Sequence, residues 1–488
     1  MGNVHINFIT HLLLGFILLF SVLAAISTYT ARAKEEGRRP AKNCRYPSYP
    51  MNAFFGYYPL LAILLFVTLL LHPEPDLSIL PSLIIMGTFQ CVLLVLQPLL
   101  RKVIAARTCA ALWTLLSVTL LFLTRIVRMA YVSLLTIPIP FNISSSHLPG
   151  LLYIWLAGFT GIMIWHIITH VLFRKKILKD IREADSSIMH VWFKEEAIAN
   201  IPVGSYQVVI SPAAQTPLSI GLFRRSTLVV LPEKKYTEEE LKLILRHELI
   251  HICRQDALGK FGILFLTALF WFNPLMWIAM RCCADDLELS CDETVLFGYE
   301  RDIRHQYANL LLNTVADQRG FTTCLSASAR ALRYRLKNVI VPRKRLTGGI
   351  LVGLMCFFLF FGCFFVDFSY NPGTIGEHVF QNQSADDFTL IDSVVVKESK
   401  QIVADSYEDI PELTEYLFQI PISKRMKDTE LNWDADMGQF ALVSPDYKYS
   451  LWLTDDILRV YDPVTADISY YSVDGTVDWT YLAELVSQ

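Results

Sequence analysis

Six apolar stretches constrain this chain more than any other feature. They lie near residues 8–28, 53–72, 77–100, 108–135, 149–173 and 348–366, and each is long enough to cross roughly 30 Å of hydrocarbon as a helix. A chain of 488 residues that is 53% hydrophobic, with a mean hydropathy of +0.39, is too apolar for an ordinary soluble domain. No Lys or Arg precedes the first stretch, whereas Arg32, Lys34, Arg38, Arg39, Lys42 and Arg45 follow it. Residues 29–52 are therefore expected in the cytoplasm and the N-terminus outside, and the missing basic leader argues against a signal peptide. Alternation then sets 72–76 outside, Arg101, Lys102 and Arg107 inside, 141–150 outside and 173–183 inside. Arg125 and Arg128 fall in the outer half of the fourth stretch, where they must snorkel or pair within the bundle.

Charge divides the chain. The net charge is −3, yet residues 367–488 hold 23 Asp/Glu against 7 Lys/Arg, so the tail carries −16 and the remainder +13. Alternating runs such as "KYSLWLTDDILRVYD", turn signals and the helical patch "IPELTEYLF" predict a small α+β domain there. Its acidity reads first as a solvated surface, with recognition of a cationic or wall-associated ligand or of a cation as the functional alternative. All ten cysteines lie between Cys44 and Cys363 in no CxxC pattern, and read first as reduced packing residues, with zinc binding through cysteine as the lesser alternative.

The chemistry concentrates in "YTEEELKLILRHELIHICRQD". Thr237 and Glu240 form a capping box, so a helix starts near Glu238. One turn apart on it, His247 and His251 project together, with Glu248 beside them. Chance alone produces an HExxH in such a chain roughly one time in a hundred, so a metal reading needs a third ligand. The segment "NPLMWIAMRCCADDLELSCDETVLFGYE" supplies candidates. Asn273 as cap and Pro274 at the first position predict a second helix, on which Asp285, Glu288 and Asp292 share a face. Glu288 is assigned as the ligand and Asp292 as the acid supporting a ligating histidine. Because metal bonds are only about 2 Å long, the apolar segment 258–281 must dip into the membrane and return, turning at Asn273-Pro274, rather than cross. His166 and His170, also four apart, lack both the acid and a third ligand, and are left to packing.

"HELIH", "WFNPLMW" and "LELSCDETVL" in that order resemble the BlaR/MecR family of membrane-embedded, signal-transducing zinc peptidases. The similarity reaches upstream through Pro217, Gly221 and Pro232 and downstream to "LSASARALRYRLKNVI", covering roughly residues 77–366. By position, the resemblance implies His247, His251 and Glu288 as zinc ligands and Glu248 as general base. Asp292 corresponds to the acid of the Glu-x-x-small-Asp signature, Asp256 to the acid following the motif, and residues 216–220 to the strand on which a substrate backbone is laid. The chain departs from the family by its first 75 or so residues and by its tail, where no serine is followed three residues later by lysine, as acylation by β-lactams would require.

The fold expected is a polytopic α-helical membrane protein of about six spans, with a cytoplasmic-face zincin-like α+β metallopeptidase domain and a small extracytoplasmic α+β domain. Its divisions are an N-terminal hairpin (1–76), a three-span bundle (77–173), the peptidase domain (174–347), a last span (348–366) and a sensor domain (367–488). The function expected is a membrane-bound zinc endopeptidase that cleaves itself, a repressor or another regulator in response to an outside signal. The alternative is a non-proteolytic receptor using the peptidase fold to bind a regulator; a transporter lacks paired, interrupted half-helices. Zn2+ is the expected cofactor. Expected partners are the plasma membrane, a protein substrate such as a transcriptional repressor, an extracytoplasmic ligand and a second copy of the chain, with no direct contact to nucleic acid. His305 and Tyr307 are considered as oxyanion stabilisers, though a lone polar residue on a helix more often faces solvent. The basic linker 327–349 reads first as charge that enforces a cytoplasmic position, with self-cleavage between Ala327 and Lys344 of an exposed segment as the alternative.

Overall fold

The computed structural model describes residues 46, 48–54, 80–117, 135–138, 148–316, 329–341, 345–346, 348–380, 384–397, 401–425, 436–444, 447–463 and 467–487. The first apolar stretch, the second beyond residue 54, Arg125 and Arg128, and the loop 141–147 lie outside these residues. Helix α1 (Leu80–Val103) ends on Arg101 and Lys102. After Ile104 and Ala105 the short α2 (Ala106–Leu112) follows, buried throughout apart from Arg107. The fourth apolar stretch thus begins as a packed helix that breaks into a turn at Trp113 and Thr114. Its last residue opens strand β1 (Leu135–Pro138) rather than closing a helix. Helix α3 (Leu148–Ile177), about 45 Å long at 1.5 Å per residue, ends on Arg174, Lys175 and Lys176. Among the described residues, two helical segments, 84–103 and 153–177, are long and apolar enough to cross a membrane.

A small α/β unit follows. Strands β2 (Arg182–Glu183), β3 (Gln207–Ser211), β4 (Leu218–Ile220) and β5 (Leu228–Pro232) form a sheet in the order β2-β3-β5-β4, which leaves β4 at an edge. Helix α4 (Ser186–Ile198) is tied to its following loop by buried Glu196, whose carboxylate accepts the amides of Gly204 and Tyr206. Helix α5 (Glu238–Arg254) starts with the capping box at Thr237 and stops at Gln255, a non-glycine residue in the left-handed region (φ 55°). That one residue reverses the chain, and α6 (Asp256–Leu269) leaves at once. Asn273 caps α7 (Pro274–Val295), which runs back toward α5. Helix α8 (Arg301–Ala316) packs on α5, α9 (Ala329–Ile340) packs on α7, and the two pack on each other. The basic linker expected to be exposed is therefore largely a helix: Val339 is buried, while Arg333 and Lys337 face solvent.

Helix α10 (Gly349–Phe365) passes directly into β6 (Val366–Thr374) without an intervening loop. The tail adds α11 (Ile375–His378), β7 (Thr389–Lys397), β8 (Gln401–Ser406), α12 (Pro411–Gln419), β9 (Pro421–Arg425), β10 (Met437–Val443), β11 (Lys448–Thr454), β12 (Ile457–Asp462), β13 (Asp467–Val473) and α13 (Trp479–Val486). Its sheet has nine strands, in the order β1-β6-β9-β13-β12-β11-β10-β7-β8. The alternation read from "KYSLWLT" holds: Tyr449, Leu451 and Leu453 enter the core with Phe380, Phe418 and Phe440. The unexpected member is β1, which pairs parallel to β6 from Leu135↔Val366 to Pro138↔Ser369, while Arg425 donates to the Thr136 hydroxyl at 2.7 Å.

A separate apolar core is built from α1, α2, α6, α7 and α10, including Leu93, Leu112, Trp113, Leu266, Met276 and Leu287. One charge is sealed inside it. Asp286, wholly buried on α7, accepts from Arg101 Nε at 2.7 Å, Trp113 Nε1 at 2.8 Å and Gln97 Nε2. Removing one side of a buried pair strands the other. Asp286→Ala should therefore lower unfolding stability by about 3 kcal/mol or more, read as an earlier thermal transition in detergent. An unchanged transition would show that this network does not pin α7 to α1 and α2.

Candidate metal centre

The left-handed turn at Gln255 brings Asp256, the first residue of α6, back against α5. Its Oδ2 lies 2.7 Å from His251 Nδ1, which leaves Nε2 to face inward. His247, one turn earlier, presents its Nε2 to that of His251 at 3.1 Å. Helix α7 returns with Glu288, whose Oε2 is 3.6 Å from each of these two nitrogens. Of the acids considered on α7, Glu288 and Asp292 come within ion-pair distance of a histidine, the latter at 3.8 Å from His247 Nδ1; Asp285 forms no such pair. Glu248 is buried, 7% exposed, beside His247 in sequence.

The outer nitrogen of His247 is held by a relay. Tyr307 on α8 lies 2.9 Å from Nδ1 and donates to Asp292 Oδ1 at 2.7 Å. Tyr307 is only 1% exposed, which corrects the expectation of a surface residue, whereas His305 does face solvent. Arg335 of α9 grips Asp292 through Nε at 2.7 Å and Nη2 at 2.8 Å, and its Nη1 approaches Glu288 Oε2 at 3.4 Å. Lys260, one turn beyond Asp256 on α6, sits 3.1 Å from Glu288 Oε1. Neither cation was legible from motif spacing, although Lys260 stands four residues after Asp256 and Arg335 lies on an amphipathic run. His166 and His170 remain on α3.

Cys291 is wholly buried, as a packing cysteine is expected to be, yet it also lies against the histidines. Its Sγ is 3.4 Å from His247 Nδ1, and His247, His251 and Cys291 each offer a ligand atom within 4.8 Å of the others, so these three could also hold a metal. The electrostatics are those of a charged cluster. Burial raises the Glu288 carboxyl, but Lys260 and His251 outweigh it and hold it well below the usual range. Burial lowers His247, yet Cys291 and Glu288 lift it to about 10; His251 is raised in the same way, by Cys291, Glu288 and Asp256.

Residues 132–339, from just before β1 to the end of α9, match the family model BlaR1 peptidase M56. The paired histidines and Glu288 fall inside the segment that this family model matches. The Regulatory protein BlaR1 of Bacillus licheniformis is 29% identical over 134 residues, 27% of this chain and 22% of that protein. The methicillin resistance mecR1 protein of Staphylococcus aureus is 28% identical over 99 residues, 20% of this chain and 17% of the relative. Residues 132–339 of this chain are thus similar to the BlaR/MecR family, and the match spans about a fifth of the length of these relatives.

Imidazoles that keep their protons above neutrality must release them to bind a metal. In the metal-free chain the raised histidine pKa values, about 10 for His247, mean that protons compete at pH 7 and cease to compete as pH rises toward that value. Adding Zn2+ at pH 7 in weak buffer should release roughly one proton or more per chain, and affinity should climb with pH. A pH-indicator titration showing no release would remove the imidazoles from the binding site.

Proposed function

We propose that this chain is a membrane-bound zinc endopeptidase that transduces an extracytoplasmic signal by cleaving a regulator, or itself, on the cytoplasmic side. The single observation that carries the reading is the convergence of His247 Nε2, His251 Nε2 and Glu288 Oε2, separated by 3.1, 3.6 and 3.6 Å. Three donors at about 2 Å from one tetrahedral ion stand about 3.3 Å apart, so the set fits zinc and leaves one position open. His247, His251 and Glu288 would hold the ion, which when bound supplies Lewis acidity toward a scissile carbonyl and the attacking water.

The surrounding residues have definable tasks. Asp256 fixes the tautomer of His251, and Tyr307 with Asp292 does so for His247, so that both Nε2 lone pairs face inward. Glu248 takes the proton of the attacking water and returns it to the leaving amine. The free edge of β4 offers backbone donors and acceptors to an extended substrate. A helix cannot add to that edge, so cleavage within α9 would first require it to unwind. This favours a separate protein, such as a repressor, as substrate.

Zinc content and activity test the assignment together. His247→Ala and Glu288→Ala should lose most of the zinc, while Glu248→Ala keeps it and loses about 10²- to 10⁴-fold in cleavage of cytoplasmic proteins. Asp256→Asn should weaken zinc binding about 10- to 100-fold. Cys291 supports a second reading, in which a fourth protein ligand closes the site into a structural one and the chain is a receptor without proteolysis. Cys291→Ala losing zinc while Glu288→Ala retains it would select that reading.

The same proposal places the two sheets on opposite sides of a membrane, with about six spans, the N-terminus and tail outside, and α6 with the start of α7 dipping in and returning. In cells, a thiol introduced at Ser450 should react with an impermeant reagent, and thiols at Lys234 and Arg301 should not. Labelling of Lys234 and Arg301 from different sides would break the re-entrant arrangement.

A further inference from the structure

We propose that Lys260 is the catalytic cation that stabilises the oxygen of the scissile carbonyl, an assignment that rests on the zinc-peptidase reading above. Addition of water to a peptide carbonyl drives a full negative charge onto that oxygen, and a preorganised donor is needed where the charge develops. Among the described residues, Tyr307, Arg335 and Lys260 bring donors to the centre, and His305 lies on the same helix as Tyr307. Tyr307 is buried and spends its hydroxyl between His247 Nδ1 and Asp292, on the side of the imidazole away from Nε2. His305 faces solvent. Arg335 is clamped on Asp292 by two of its nitrogens, and its side chain is only 13% exposed.

Lys260 is differently placed. Its ammonium meets Glu288 at Oε1, the oxygen of that carboxylate other than the one facing the imidazoles, and 40% of its side chain is exposed. It is thus partly open to solvent and meets Glu288 on the oxygen that the histidines leave free. Its root is fixed, because Asp256 one turn earlier is bound to His251. Its four-carbon stem is free to move the charge by a few ångströms. Once the Glu288 charge is shared with a bound cation, the ammonium loses much of its hold on Oε1 and can turn to the carbonyl oxygen. Lys260 donates a hydrogen bond and transfers no proton. Water adds to the carbonyl carbon, its proton passes to Glu248, and the C–N bond breaks as Glu248 returns that proton to nitrogen.

The test uses the full chain in detergent, zinc-loaded, with Lys260→Met, Lys260→Gln and Lys260→Arg. Two quantities are read besides cleavage: zinc affinity by chelator competition, and binding of an N-phosphoryl leucyl dipeptide, whose tetrahedral anion mimics the charged oxygen. The proposal expects zinc affinity undiminished in all three variants. Affinity for the phosphoryl peptide, and kcat on casein, should fall about 10²- to 10³-fold in Met and Gln with KM little changed, and Arg should restore part of both. Unchanged affinity for the phosphoryl peptide overturns the assignment. So does loss of zinc in Met and Gln, which would make Lys260 a support for Glu288. Wild type that binds neither zinc nor the phosphoryl peptide, or Glu248→Ala with full activity, would instead overturn the zinc-peptidase reading and Lys260 with it.

Discussion

The approach of Glu288 to two imidazole nitrogens, 3.6 Å from each, is the contact on which the rest of the structure depends. A carboxylate on one helix can reach two histidines on another only if the intervening chain returns to where it started. That requirement accounts for the left-handed residue at Gln255, for the Asn273 cap that starts the return, and for the burial of α6 and α7 against α1 and α2. It also explains why Asp286, two residues before Glu288, is sealed into the core by Arg101 and Trp113: the opposite face of α7 has to be held in register.

Concentrating this much charge in a buried place needs compensation. Glu288 and Asp292 face Lys260 and Arg335, contributed by α6 and α9, so the acids of α7 lie between cations from two other helices. Unpaired, the buried Asp292 carboxylate would cost several kcal/mol, and the part-buried Glu288 less. The arrangement makes α9 more than a tether. Its Arg335 joins Glu288 and Asp292 to the segment that leads, through Leu346, to α10: the Ala105 amide donates to the Leu346 carbonyl at 2.9 Å and the Leu346 amide to the Val103 carbonyl at 3.0 Å.

The nine-stranded sheet is coupled to the same helices from the other end. Helix α10 becomes β6 without a loop, and β6 takes β1 as its parallel neighbour, so a displacement of the tail acts on two stretches of the body at once. On the proposed reading this is the physical route by which an outside event reaches α9 and Arg335. The acidic surface of the tail leaves its chemistry to a cationic ligand or to solvent.

The sequence by itself determined what depends on local spacing. Thr237 with Glu240, Asn273 with Pro274, the i, i+4 histidines and the alternation of "KYSLWLT" each follow from the period of one element, and each is present in the structure. Glu288 and Asp292 were legible for the same reason, since i, i+4 spacing on a helix puts both on one face. The tertiary structure alone decided which distant residues meet them. Lys260, Arg335 and Tyr307 come from three other helices, Cys291 turns toward His247 because of how α7 is rotated, and β1 joins a sheet whose other strands begin 228 residues later in the chain. No periodicity within a segment encodes such meetings, because they are set by packing between segments. The stretch 327–344, read as an exposed linker from its charge, forms in large part a helix because Leu336, Val339 and Ile340 find an apolar partner in α7 and α8, a partner that only the folded chain provides.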